Sequence, residues 1–374
     1  VIVPISGQLT GPEEAANIME VANSQHYGGG VFMRRFEREF AVYMGARHAI
    51  LCNSGSSANL LALSALEMPK GSKILTTAVN FPTTVNTIIQ RGCIPVFVDS
   101  DPRTLNIAQD IDVDFSIRAV IVAHTLGNPA DLSRLVPHGI PIVEDCCDAI
   151  GSTIHGRMVG RTGVLSTASF YPAHHMTMGE GGAVMTDSPK LKKIIESYRD
   201  WGRDCWCSPG EDNTCGVRFD GAIDHKYTYS RIGYNLKASD FQAAAGVAQL
   251  AKLAVFNAKR RANWQYLYEG LKDMPIEIVQ ATPDSDPSWF GFAFLTDRRN
   301  ELQRYLDVHH IGSRPIMGGN LLRQPAYRGV EYLVQGDLRG ANAIHERGIW
   351  IGCWQGLNAD QLDYAIEKVR AFYA

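Results

Sequence analysis

The 374-residue chain has no apolar run near the roughly 18–20 residues of a bilayer crossing, which excludes a helical membrane span. It has no surplus of positive charge. Its 36 Lys and Arg stand against 39 Asp and Glu, a net charge of −3, which argues against a nucleic-acid binder driven by bulk electrostatics. It has no internal repeat and no low-complexity segment, so neither a solenoid nor a disordered tail is expected. No signal-peptide pattern follows Val1, and a cytoplasmic setting is the expectation. In that setting its eight cysteines do not imply a disulfide framework. One further absence is local: no lysine occurs between Lys73 and Lys190.

What is present is ordinary for a globular protein, with 45% hydrophobic and 20% charged residues. The length suggests one large and one smaller domain. A capping box, Thr10-Gly-Pro-Glu13, predicts a helix to about Asn23, and Phe36, Phe40 and Tyr43 ride a second helix over 32–44 as core residues. Short apolar strands then alternate with helices. Strands are predicted at 49–52, 74–76, 95–98, 119–123, 141–143, 168–171 and 183–186, with helices at 56–66, 82–91, 133–136 and 191–201. That alternation reads as α/β, a mostly parallel sheet covered on both faces, with ligands outside the carboxyl ends of its strands. Residues 204–226 are rich in Gly, Asp and Cys and read as a long functional loop. A long helix follows at 239–271, its Lys259-Arg260-Arg261 read as a solvated face. Strands at 289–295 and 350–352 and helices at 300–308 and 359–372 suggest a small α+β domain. The expected division is 1–255 and 256–374.

Several stretches carry chemistry. Asn53-Ser-Gly-Ser-Ser-Ala58, between a strand and a helix, offers amides and hydroxyls to a phosphate, although Ser-Gly-Ser is also common turn chemistry. Val143-Glu-Asp145 ends a buried strand and carries a carboxylate, which could equally cap the next helix. Phe81 in Val79-Asn-Phe-Pro-Thr-Thr84 is either a stacking ring or a core residue. Cys147, Cys205, Cys207 and Cys215 follow the pattern Cys-x57-Cys-x-Cys-x7-Cys. Four thiolates suit a [2Fe–2S] cluster or a structural zinc, and unligated buried thiols are a third reading. Residues 169–183 read Ser-Phe-Tyr-Pro-Ala-His-His-Met-Thr-Met-Gly-Glu-Gly-Gly-Ala, a strand, a turn at Pro172, two histidines and a glycine-rich run. His124 and His175 read as structural rather than catalytic.

The 169–183 segment resembles the cofactor segment of the sugar aminotransferases, pyridoxal-phosphate (PLP) enzymes of the DegT/DnrJ/EryC1/StrS group with the aspartate aminotransferase fold (PLP fold type I). Their pattern is Ser-Phe-x-Pro-x-Lys, the lysine forming the Schiff base with PLP. Here that position is His174. A histidine cannot make that bond but moves protons near neutral pH. The resemblance therefore implies that pyridoxamine phosphate (PMP) is held non-covalently. It further implies that Ser56, Ser57 and Ser169 contact the cofactor phosphate and that Phe81 stacks on the ring. Asp145 would pair with the pyridine nitrogen, and Asn235 would reach the phosphate of a neighbouring subunit, making a homodimer. Histidine in the lysine slot together with the cysteine spacing narrows the likeness to the iron–sulfur 3-dehydrases of deoxysugar pathways, those acting on CDP-4-keto-6-deoxyglucose. Such enzymes remove the C3 hydroxyl of a nucleotide-linked 4-keto-6-deoxyhexose with His174 as base. They then reduce the product through a [2Fe–2S] cluster fed by a separate NAD(P)H-dependent flavin iron–sulfur reductase. The stretch Arg314–Arg323 is expected to face the sugar nucleotide. Three other readings stand beside this one: a cluster-free PMP dehydratase of a GDP-sugar, an ordinary sugar aminotransferase, and a silent metal-stapled protein.

Overall fold

The computed structural model describes residues 1–111, 113–207, 213–218 and 223–374, so parts of the expected 204–226 loop lie outside the described residues. Helices α1 (Pro12–Ser24) and α2 (Val31–Met44) precede β1 (His48–Cys52). Then come α3 (Gly55–Ala65), β2 (Lys73–Thr77), α4 (Pro82–Gln90), β3 (Ile94–Val98), β4 (Ile117–Ala123) and β5 (Ile142–Asp145). The short strands β6 (Thr153–Ile154) and β7 (Arg157–Met158) lead to β8 (Leu165–Ser169), β9 (Gly182–Thr186) and α5 (Pro189–Arg199). Beyond the cysteine-rich stretch lie α6 (Asp240–Leu271), β10 (Glu277–Ile278), β11 (Ser285–Asp286), β12 (Gly291–Leu295) and α7 (Arg299–Val308). The chain ends through β13 (Ser313–Pro315), β14 (Leu333–Val334), α8 (Arg339–Arg347), β15 (Gly348–Gly352) and α9 (Ala359–Tyr373).

The large sheet has the order β1-β9-β8-β5-β4-β2-β3-β14. It is parallel except at β9, which runs antiparallel to both β1 and β8. Its central strands are buried on both faces, as the short apolar runs predict, whereas the edge strand β14 is exposed. Along β9, Ala183 and Met185 face the core built with α2 and α6, while Val184 faces the core built with α3 and α5. That is the period of two of a strand between two helix layers. A second sheet, β10-β12-β15-β13, is wholly antiparallel and packs on α7 and α9.

Four local expectations change. Gly11, not Thr10, takes the first cap, and Glu14 rather than Glu13 closes it by accepting from the Gly11 amide at 2.7 Å. Residues 133–136 form no α-helix: Pro137 lacks the amide to extend one, and a single 3-10 turn forms at Val136–His138. The strand expected at 168–171 ends at Ser169, two residues earlier, because Phe170 already turns toward the histidine loop. Arg260 is not on a solvated face: it is fully buried, whereas its neighbour Lys259 is exposed. The position expected as a domain boundary, residue 255, lies inside the 32-residue helix α6, which packs on α1, α2 and α9. Strand β14 returns to the edge of the large sheet beside β3.

Candidate active site

The carboxyl ends of β4, β5 and β8 open onto a cleft of about 670 Å³. The N-terminus of α3 forms one wall, and Phe290, Arg314 and Trp350, on and beside the second sheet, form another. A parallel sheet brings a ligand to this edge because its strand ends and helix N-termini converge there.

Asp145 is the last residue of β5 and is 5% exposed. Its Oδ2 accepts from Asn59 Nδ2 and from Thr84 Oγ1, both at 2.7 Å, and its Oδ1 accepts from the Cys147 amide at 3.1 Å. Thr167 Oγ1 in turn donates to Asn59 Oδ1 at 2.6 Å. The carboxylate is thus fixed by α3, α4 and β8 together, and fixing of this kind is what a carboxylate aimed at a ring nitrogen requires.

His174 follows the turn after β8. Its amide donates to the Tyr171 carbonyl at 3.0 Å, and its ring lies 5.4 Å from Phe290. The Nδ1 atom stands 3.4 Å from Asp148 Oδ1, an ion-pair contact rather than a formed hydrogen bond. Asp148 also lines the cleft and was not singled out from the sequence. The available signal was its place one turn beyond Asp145 on the same strand exit.

The backbone of this loop is held from behind. Buried Arg260 donates to the carbonyls of Ala173 at 3.4 Å and His174 at 3.2 Å, and to those of Trp289 and Phe290 at 3.4 and 3.2 Å. Burial lowers its pKa to about 10, which leaves it charged at neutral pH. Charge patterning could not reveal this role, because it treats Lys259, Arg260 and Arg261 alike.

At the other end of the cleft, Ser54 caps α3 by accepting from the Ser57 amide at 3.1 Å. Gly55 and Ser56 of the first turn line the cleft with Ser169, whereas Ser57 does not line it and bonds Ser54 Oγ at 3.0 Å. Ser56 Oγ donates to Thr83 Oγ1 at 3.0 Å. A Cβ on Gly55 would come within 2.5 Å of Ser169 Cβ and 3.1 Å of Cys147 Sγ, so only glycine lets the helix end close against the strand. Helix N-terminus, hydroxyls and glycine together fit a phosphate. Phe81 is 51% exposed at the cleft, which overturns its reading as a core residue. The chemistry of this donor set fits PLP or PMP: a helix N-terminus with the hydroxyls of Ser54, Ser56 and Ser169, an exposed aromatic ring at Phe81, and a fixed carboxylate at Asp145.

The two other histidines are structural. His124 Nδ1 accepts from the Ala130 amide at 2.9 Å, so Nε2 carries the proton and donates to Glu144 at 3.1 Å. His175 is fully buried and donates from Nε2 to the Ser288 carbonyl at 2.8 Å. Burial and nearby Arg260 push its pKa well below the usual histidine range. Arg314, Pro315 and Met317 of the 314–323 stretch do line the cleft.

Asn235 and most of the cysteines lie elsewhere. Asn235 is exposed outside the cleft and accepts from Lys237 at 2.8 Å. The sulfurs of Cys205, Cys207 and Cys215 lie within 4.8 Å of one another, but Cys147 is not in that group and sits on the cleft wall. Burial raises Cys205 to about 11. Cys207 falls to about 7: burial alone would raise it, but bonds from Thr214, the Cys215 amide and the neighbouring thiols outweigh burial. The spacing correctly brings three thiols together; the fourth is separated from them by the fold of the protomer.

Comparison with known proteins agrees with this geometry. The chain is 46% identical over 401 residues to the lipopolysaccharide biosynthesis protein RfbH of Salmonella typhimurium, covering 100% of this chain and 92% of that one. It is 45% identical to a dTDP-4-dehydro-2,6-dideoxy-D-glucose 3-dehydratase of Saccharopolyspora spinosa, covering 99% and 86%. Among solved structures, the E. coli GDP-4-keto-6-deoxy-D-mannose-3-dehydratase with bound hydrated PLP superposes with a TM-score of 0.91 at 29% identity, covering 98% of this chain and 99% of that one. The fold is the aspartate aminotransferase-like PLP fold type I expected from the sequence. The DegT/DnrJ/EryC1/StrS aminotransferase profile matches residues 8–370, and the chain belongs to that family.

Proposed function

We propose that the protein is a PMP-dependent 3-dehydrase of a nucleotide-linked 4-keto-6-deoxyhexose, CDP-4-keto-6-deoxyglucose in our reading, whose product is reduced through a [2Fe–2S] cluster. The observation that carries the reading is His174, standing at the cleft where the family pattern has lysine and backed by Asp148. When bound, PMP supplies an amine for the C4 ketone and a ring that spreads the charge left by proton removal. Asp145 would keep the ring nitrogen protonated. His174 would take a proton from the C4′ carbon and pass it to the departing C3 hydroxyl. The Ser54–Ser56 turn and Ser169 would hold the phosphate, and Phe81 would cover the ring. Arg314 and Trp350 line the opposite wall of the cleft, where the sugar nucleotide would lie. The donor set of Cys147, Cys205, Cys207 and Cys215 suits a cluster that takes electrons singly from an NAD(P)H-dependent flavin iron–sulfur reductase. The two dehydratase relatives support C3 chemistry on a nucleotide sugar.

A second reading has a specific observation in its favour. Cys147 stands apart from the other three thiols, as it would in a cluster-free dehydratase that never assembles them. Two measurements decide. Borohydride treatment of PLP-soaked protein followed by mass spectrometry leaves the chain unmodified if His174 truly replaces the lysine; a stoichiometric pyridoxyl adduct overturns the proposal. Iron and sulfide in protein purified without air support the cluster, and their absence moves the cluster-free dehydratase ahead.

A further inference from the structure

Within one protomer, the three clustered thiols and Cys147 lie at opposite ends of helix α3. Cys147 Sγ is at the N-terminus, 3.1 Å from where a Gly55 Cβ would be. Cys205 shares a surface hollow with Glu67, just beyond the C-terminus. Arg231, on the same ribbon as the cysteines, clamps Glu67 at 2.7 Å and so fixes the ribbon there. The helix has 11 residues, which at 1.5 Å per residue spans about 16 Å. A single cluster is only a few ångströms across, so one protomer cannot bring all four sulfurs to it while α3 is intact.

The ribbon is nevertheless well tied. Asp200 bridges to Asn235 and Arg203 to Tyr229. Gly202 and Gly233 cross so closely that a Cβ on either would meet backbone atoms at about 2 Å, as at Gly202 with its φ of +84° and an Arg231 carbonyl 1.9 Å away. It carries an outward row of large apolar side chains, Trp201, Trp206, Tyr227, Tyr229 and Ile232, each more than 40% exposed. Such a group of exposed apolar side chains marks an interaction surface. Two features expected at a cofactor site, Asn235 and the Cys205–Cys207–Cys215 group, lie on this one ribbon and outside the chain's own cleft. A two-fold axis that lays the ribbon over a neighbour's cleft corrects both displacements at once, and does so twice per dimer.

Resting on the proposed cluster and homodimer, we infer that the iron site is built across the subunit interface. Cys205, Cys207 and Cys215 come from one protomer and Cys147 from the partner, so each cofactor cleft receives electrons through the other chain's ribbon. Among the described residues, a competitor inside one chain is His225. Its Nδ1 is 3.8 Å from Cys215 Sγ, and its Nε2 is 4.0 Å from Asp204.

Complementation between differently tagged, co-expressed chains tests the inference, with iron and sulfide per dimer and the cluster's visible absorption as readouts. Cys147→Ser and Cys207→Ser homodimers lose the iron, and His225→Ala keeps it. The mixed dimer of a Cys147→Ser chain with a Cys207→Ser chain regains about half the wild-type iron, because one interface has all four thiols. The mixed dimer of a wild-type chain with a doubly substituted chain regains none, because each interface carries a lesion. The reverse pattern overturns the inference, as does a Cys147→Ser homodimer that keeps its iron. PMP binding monitored on the same preparations confirms that each variant is folded. Wild-type protein lacking iron and sulfide overturns the cluster reading itself, a failure distinct from the reverse pattern.

Discussion

A buried guanidinium and a mostly covered imidazole decide what the cleft can do. His174→Ala should slow exchange of the cofactor's C4′ proton by about 10²–10⁴-fold, the usual cost of losing a general base. PMP should still bind, since the Ser54–Ser56 turn, Ser169 and Asp145 are untouched; an absorbance titration of PMP beside the exchange rate checks both parts. His175 cannot take over, because its ring is sealed against Ser288. Arg260→Met keeps the apolar stem and removes the donors to four carbonyls. Buried carbonyls left unpaired should cost about 3 kcal/mol or more in total, seen as a lower Tm. C4′ exchange should fall while PMP affinity changes little. Unchanged exchange would show that Arg260 supports the fold but not the position of His174. The histidine was legible in the sequence because it interrupts a recognisable pattern. Arg260 was not, because its partners are backbone carbonyls 30 and 87 residues away, and no local pattern records them.

At the scale of elements, α3 is the hinge of the site. Its N-terminus faces the cleft, and Gly55 lets it close against Ser169. Gly55→Ala should push the helix end away from β8 at a cost of about 1–3 kcal/mol. The expected reading is weaker PMP binding by titration, with the far-ultraviolet circular dichroism of the wild type. Wild-type PMP affinity in this variant would mean that the phosphate sits elsewhere. Seven strands of the large sheet were legible to within a few residues, because strands buried on both faces are short unbroken apolar runs, whereas β14, two exposed residues at the sheet edge, left no such run. The first cap slipped by one residue because Glu13 and Glu14 are interchangeable in the pattern, and only the closed bond between Glu14 and Gly11 separates them. No α-helix forms at 133–136, where one was expected. Leu132 and Leu135 are buried, but Pro137 limits the segment to a turn.

At the scale of the whole molecule, the cleft exists only because two sheets meet. Asp145, His174 and the Ser54–Ser56 turn come from the large sheet's edge, and Arg314 and Trp350 from the second. Helix α6 supports the meeting, holding the histidine loop through Arg260 and packing on α1, α2 and α9. Resemblance to the family pattern carried the first group, whose members sit at strand ends. Sequence spacing could not carry the separation of Cys147 from the other three thiols, since spacing along the chain says nothing of which end of α3 each one reaches. The central claim is that the assembled cleft removes the C3 hydroxyl of a 4-keto-6-deoxy sugar nucleotide. Its most direct test is to incubate the protein, PMP and CDP-4-keto-6-deoxyglucose without air, with a flavin iron–sulfur reductase and NADH, and to identify the sugar product by NMR. The account predicts a 3,6-dideoxy product that requires both PMP and the reductase. A 4-amino sugar formed from an amino donor, or substrate recovered with its C3 hydroxyl intact, would contradict it.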